Sequence, residues 1–497
     1  MGSNIIANYL ARIWATLIGI FFLPLYIDVL GLESYGLIGA FTVIQAALLI
    51  LDFGITPTLN REMARLRSNE HTPETLRDVL RSFEIICLIL SITMALIVIL
   101  SSHFLAANWL QVESLPLSSV VFAIQLMGIV LALRWLEQVY KSALLGMQDQ
   151  VWLSIVLSIT ETIRWGGAYL FIANVSPTIH YFFFWQGMSS ILLLVILYSR
   201  VSSNLPFATR PARFDIGAIK KLKKFILGMS LSSILVFLIT QVDKVIIGGI
   251  VPLSVFSIYI LSWTVASGLL QLISPLSIAV YPRFAEFVAT GNEKQLKILF
   301  REASELMSFV LVGPALVLSF FAYDLLLLWT GNFETSGSAA PVLAIVSLAI
   351  LFNGLMNLPY MLQLAFGWVS LSNWINSLAI LAIVPAIFFL VPRYGLVGGA
   401  SAFLVVNLVY VFVGARIMFR RLIPECEQLW YSRAVFLPLA SGVVVAGLLK
   451  LALPIPSTRV QAAATLAVAS AVVGLTMLLV LPTIRRNAMK IFNVVLR

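Results

Sequence analysis

Long apolar runs separated by short polar breaks dominate the chain from Ile5 until its last fifteen residues. A helix needs about 20 mostly apolar residues to cross a bilayer, because each residue rises about 1.5 Å. The pattern predicts an all-α polytopic membrane protein with 14 transmembrane helices. They cover 5–30, 36–58, 84–105, 117–145, 151–173, 179–199, 225–250, 253–282, 305–330, 340–365, 367–391, 394–415, 432–452 and 460–482. Gly367 is the expected divider of the run 340–391. The first run has no basic residue before it and is too long for the core of a cleavable signal.

Composition agrees. Of 497 residues, 60% are hydrophobic and only 11% are charged, against about 25% charged in soluble domains. The mean hydropathy is +1.00. These values exclude a soluble enzyme, a disordered chain and a nucleic-acid binder. The net charge of +10 therefore reads as topology rather than as an anion-binding soluble surface. Basic residues cluster between alternate spans: Arg61 to Arg81, Arg200 to Lys224, Arg283 to Arg301, Arg416 to Arg433, and Arg485 to Arg497. The opposite ends hold only Arg393, Lys450 and Arg459. The positive-inside rule then places both termini in the cytoplasm. Cys87 and Cys426 fall in a span and a basic loop, so a disulfide is not expected, and with three histidines a histidine-based metal site is not expected either.

The basic segment 200–224 divides the chain. Six spans precede it over 1–199, and six follow over 225–421, the near-equal lengths of a duplicated transporter. Residues 422–497 add an extra helix pair and a basic tail. Within the divider, Asp215 is placed to cap a short amphipathic helix over 216–225. Ile216, Ile219, Leu222 and Phe225 would face lipid while four lysines face an anionic leaflet. A solvated basic linker is the alternative.

Ionisable groups at membrane depth are expensive and usually face a cavity or each other. Asn4, Asn8, Arg12 and Thr16 recur every four residues, on one face of span one. Gln45, Asp52 and Thr56 share a face of span two. Span four carries Arg134, Glu137 and Lys141, and span five Glu161 and Arg164. Span seven carries Gln241, Asp243 and Lys244, and span eight a neutral stripe that includes Trp263 and Gln271. Spans ten and eleven add Asn353, Asn357, Tyr360, Asn373 and Asn376. Glu137 with Lys141 and Glu161 with Arg164 have the spacing of self-neutralising helical pairs. Five embedded cations against four acids leave a slight preference for anions. Asp28, Asp324, Glu84 and Glu305 fall at span ends and read as interfacial. Gly395 and Gly399 form a GxxxG that predicts close helix packing.

No catalytic set is readable. There is no Walker A lysine motif, and His71, His103 and His180 form no Ser-His-Asp constellation. The chain is not expected to be an enzyme and needs no cofactor.

Several segments resemble a known family. They are Leu30-Gly31-Leu32-Glu33-Ser34-Tyr35-Gly36-Leu37, Leu51-Asp52-Phe53-Gly54-Ile55, Asn60-Arg61-Glu62 and Gln241-Val242-Asp243-Lys244-Val245-Ile246-Ile247-Gly248. In order and spacing they resemble the Wzx-type polysaccharide-biosynthesis flippases of the multidrug/oligosaccharidyl-lipid/polysaccharide exporter superfamily. The resemblance implies two six-helix lobes around a central V-shaped cavity in a bacterial cytoplasmic membrane. It implies transfer of an undecaprenyl-pyrophosphate-linked oligosaccharide, such as an O-antigen unit, to the periplasmic leaflet by alternating access.

The resemblance also implies cationic residues for the pyrophosphate, and the positions available are Arg12, Arg134, Arg164 and Lys244. Arginine suits phosphate because its planar fork donates two hydrogen bonds. Asn8, Gln45, Gln271, Asn353 and Asn357 are the candidates for sugar hydroxyls. Coupling to H⁺ or Na⁺ would use Asp52, Glu137, Glu161 or Asp243. Anionic lipid and the polymerase and chain-length proteins of a glycan pathway are the expected partners. A cation-coupled drug exporter of the same superfamily is the alternative, although such a substrate favours acidic walls. A non-transporting scaffold is a further alternative, with the embedded charges serving as structural pairs.

Overall fold

The computed structural model describes residues 2–49, 55–64, 73–207, 209–214, 237–238, 240–482 and 484–486. Among them the chain is helical without a β-strand, apart from an isolated bridge between Gln111 and Pro252. It forms two compact units, Met1–Ser257 and Ile258–Arg497. The divider helix expected over 216–225 lies outside the described residues.

The first unit holds α1 (Gly2–Leu49), α2 (Ile55–Ala64), α3 (Pro73–Phe104), α4 (Leu117–Gly146), α5 (Gln150–Asn174), α6 (Ile179–Asn204) and the helical residues 240–250, here α7. α1 breaks at Gly31, whose φ of 79° lies in the left-handed region open to glycine. The break falls between the spans expected at 5–30 and 36–58. α3 begins about three turns before its predicted span. That extension anchors the chain after α6: Arg210 grips both oxygens of Asp78, and Arg213 N donates to Asp78 Oδ1 at 2.7 Å. Arg77 Nε donates to Pro206 O at 3.0 Å. Leu80, Phe83, Trp135, Leu144, Leu193 and Leu197 form the core shared by α3, α4 and α6.

At the far end of this unit the turn after Gly31 is held from two directions. The Glu33 carboxylate accepts from Glu113 N at 2.6 Å and from Ser114 N. Trp109 Nε1 donates to Val245 O at 2.9 Å, and Leu253 N donates to Gln111 O at 2.8 Å. A Cβ on Gly36 would come within 2.7 Å of Leu253 and Ser257, so only glycine allows this approach.

The second unit takes most of α8 (Leu253–Ala289), then α9 (Glu293–Phe320), α10 (Ala322–Thr330), α11 (Phe333–Leu355), α12 (Asn357–Ala365) and α13 (Val369–Val409). It ends with α14 (Ala415–Leu422), α15 (Pro424–Leu429), α16 (Leu437–Ala452) and α17 (Arg459–Val480). Gly367, at φ 68°, separates α12 from α13. Gly395 breaks α13 at φ 58° and ψ −146°. The expected close packing at Gly395 is therefore corrected: nothing lies within 4 Å of a Cβ there, and the glycine serves as a bend. The close approach is at Gly398, where a Cβ would meet Leu390 O at 2.4 Å.

Asp324, expected at a span end, lies in the first turn of α10. It is buried and binds Lys450 Nζ at 2.9 Å, fastening α10 to α16 of the extra helix pair. Glu305 is also buried. Phe321, Ala446, Leu466, Ala469 and Val473 complete that contact.

Ten helices among the described residues are long and apolar enough to cross a membrane. Two of them, Ile13–Ala47 and Val369–Leu422, contain the breaks at Gly31 and Gly395. α5 is long enough but carries Glu161 and Arg164 and falls outside the ten, as does the partly described α7.

Candidate functional site

The first unit buries a compact polar cluster where α1, α4, α5 and α6 meet. Helical spacing sets it up. Arg134, Glu137 and Lys141 recur on one side of α4, Glu161 and Arg164 lie one turn apart on α5, and Gln186 and Ser190 one turn apart on α6.

Four charges satisfy one another. Arg164 Nη1 donates to Glu161 Oε1 at 2.6 Å. Its Nη2 donates to Glu137 Oε1 at 3.1 Å and to Ser190 Oγ at 3.3 Å. Lys141 Nζ takes the other Glu137 oxygen at 2.7 Å. Two cations therefore face two carboxylates, and Glu137 is the shared hub, with 1% of its side chain exposed. Both helical pairs expected from spacing are present, and Arg164 joins them across helices.

Arg134 stands apart from this neutral group. Its Nη1 donates to Gln45 Oε1 at 3.0 Å and its Nη2 to Gln186 Oε1 at 2.7 Å. Its guanidinium lies 4.9 Å from the Phe41 ring centroid, a cation–π distance. No carboxylate among the described residues comes within ion-pair distance, and Nε has no hydrogen-bond partner there. Amide oxygens orient a guanidinium without cancelling its charge. The cluster of three cations and two acids thus carries its excess positive charge on Arg134, together with an unused donor.

The other expected residues are distributed as follows. Lys244 Nζ lies 3.3 Å from Asp243 Oδ1 and donates to Thr240 O at 2.8 Å, so both charges serve a local pair. In the second unit Asn353 Nδ2 donates to Asn407 Oδ1 at 2.9 Å, and Asn357 accepts from Ser277. Gln271 is exposed. The side chains of Asn8 and Arg12, and Asp52 entirely, lie outside the described residues. No group of three or more His, Cys, Asp or Glu suited to a metal ion occurs among the described residues.

Gln186, Ser190 and Asn407 were not singled out from sequence. The first two are one turn apart in an otherwise apolar span, which is the signal that marks them.

The family of polysaccharide biosynthesis proteins matches residues 1–288. A Shigella flexneri protein assigned provisionally as an O-antigen transporter is 24% identical over 410 residues, covering 80% of this chain and 93% of its own. Among solved structures, the lipid II flippase MurJ in an inward closed conformation superposes with a TM-score of 0.71. It is 13% identical, with 95% of this chain and 98% of that one covered. An inward-facing multidrug resistance transporter of the MATE family superposes with a TM-score of 0.68. It is 14% identical, with 82% and 95% covered. At these identities the structural matches show the fold alone. The proteins this chain resembles are transporters and flippases, not enzymes.

Proposed function

The chain belongs to the polysaccharide biosynthesis protein family, and from that premise we propose that it flips a lipid-linked oligosaccharide across the membrane, with Arg134 contacting the pyrophosphate. The single observation that carries the reading is the half-buried guanidinium of Arg134, held by Gln45 and Gln186 with no carboxylate partner among the described residues. A self-neutralised cluster could be explained as helix–helix glue. An oriented, uncompensated arginine has the chemistry of an anion site.

The substrate is an undecaprenyl-pyrophosphate-linked repeat unit of O-antigen type, moved from the cytoplasmic to the periplasmic leaflet by alternating access. Two six-helix lobes around a central cavity would contain it. The fourteen-pass count takes the helices bent at Gly31 and Gly395 twice and adds α5 and α7. Both termini then lie in the cytoplasm, as the basic loops require. Arg12 and Lys244 are further cations on the path, and Asn8, Gln45, Gln271, Asn353 and Asn357 offer bonds to sugar hydroxyls. Arg164 holds the cluster together rather than contacting substrate. Coupling to H⁺ or Na⁺ falls to Asp52, Glu137, Glu161 or Asp243. The polymerase and chain-length proteins of the glycan pathway are its natural partners.

Complementation tests the reading. Expression in a flippase-null strain should restore periplasmic ligation of the glycan. Restored drug resistance without glycan export would favour the multidrug alternative, whose cationic substrates a net positive cluster repels.

A further inference from the structure

Arg134 and Glu137 have the spacing at which an arginine and a glutamate on one helix pair, yet they do not pair. Two amides from other helices hold the guanidinium instead. Gln45 of α1 takes Nη1 at 3.0 Å, and Gln186 of α6 takes Nη2 at 2.7 Å. The two amides differ in setting. Gln45 is half-buried, whereas Gln186 is only 2% exposed and sits in the interior of α6. A guanidinium can only donate, so the Gln186 amide must present its oxygen to Arg134.

α6 carries no Asp or Glu from Ile179 to Asn204. It meets both arginines of the cluster with neutral oxygens: Gln186 Oε1 on Arg134 and, one turn on, Ser190 Oγ on Arg164. The other helices make the difference. Arg164 also meets Glu161 and Glu137, so its charge is cancelled. Arg134 meets no carboxylate among the described residues. A glutamate has the size of a glutamine and would bond an arginine more strongly. It would also cancel the charge. An amide at position 186 therefore fixes the direction of Arg134 and leaves its charge available.

We propose that Gln186 is a specificity-determining positioning residue. It holds Arg134 away from Glu137 and, being neutral, reserves the guanidinium for the anionic end of the lipid-linked substrate. This rests on the reading that Arg134 contacts the pyrophosphate. It adds that the charge at position 186, not the bond made there, decides whether the site takes an anion.

The test uses the full-length protein in neutral detergent. Native mass spectrometry compares retention of undecaprenyl pyrophosphate with that of undecaprenol, which share a tail and differ in charge. Thermal unfolding is measured alongside. Wild type should retain the pyrophosphate in preference, and R134Q should lose that preference by roughly tenfold. Q186E should lose it to a similar extent while unfolding at or above the wild-type temperature, because its bond to Arg134 is kept. A glutamine with only a structural role would leave the preference intact in Q186E. Q186L, which removes the acceptor, should lose part of the preference, and it replaces Q186E if that variant does not fold. Loss of the preference in R134Q but not in the position-186 variant would overturn this inference and leave the transport reading standing. R134Q that matches wild type would overturn both.

Discussion

Arg134 and Glu137 sit one turn apart on α4, yet they serve different neighbours. Glu137 is bound by Lys141 at 2.7 Å and Arg164 at 3.1 Å, whereas Arg134 turns to the amide oxygens of Gln45 and Gln186. Charge matching within the bundle and charge left available are thus separated by a single helical turn. That separation makes the two residues behave differently on substitution.

Glu137→Leu should act on stability. It leaves Arg164 with only Glu161 and removes the partner of Lys141, and breaking a buried ion pair costs about 3–5 kcal/mol. Thermal unfolding in detergent should show a large drop. Adding Lys141→Met to Glu137→Leu should recover part of it, because the lysine left without its carboxylate is then removed.

The tie between α10 and α16 predicts an asymmetry. Asp324 is 1% exposed and Lys450 35%. Lys450→Met strands a buried carboxylate and should destabilise by about 3 kcal/mol or more. Asp324→Asn frees a lysine that can reach water and should cost about 1 kcal/mol. Thermal unfolding of the two variants measures the difference, and crosslinking between α10 and α16 tests whether the contact loosens.

Two glycines predict opposite signs. Gly395→Ala forces a left-handed φ on alanine and should destabilise by about 1–2 kcal/mol. Gly268 lies inside α8 with nothing within 4 Å of a Cβ. Gly268→Ala should therefore stabilise, by about 0.5–1 kcal/mol. Paired unfolding curves check both.

Much of this architecture was legible in the sequence because membrane helices announce themselves by length and hydropathy. The pairs Glu137–Lys141 and Glu161–Arg164 were legible because helical spacing fixes neighbours three and four residues apart. Contacts between helices were not. Nothing local says that Arg164 of α5 reaches Glu137 of α4, or that Gln186 faces Arg134. The same holds for Asp324, which lies at a span end by position but is sealed by Lys450, 126 residues later. Gly395 sits in a GxxxG, and the motif alone does not distinguish a packing glycine from a bend.

The central claim is that Arg134 contacts the lipid-linked pyrophosphate. Its most direct test is the flipping rate of an undecaprenyl-pyrophosphate-linked oligosaccharide in proteoliposomes holding equal amounts of wild type or Arg134→Gln. A charged hydrogen bond contributes about 1.5–3 kcal/mol, so the rate should fall roughly tenfold or more while the unfolding temperature stays near that of wild type. A variant that flips at the wild-type rate would contradict the assignment.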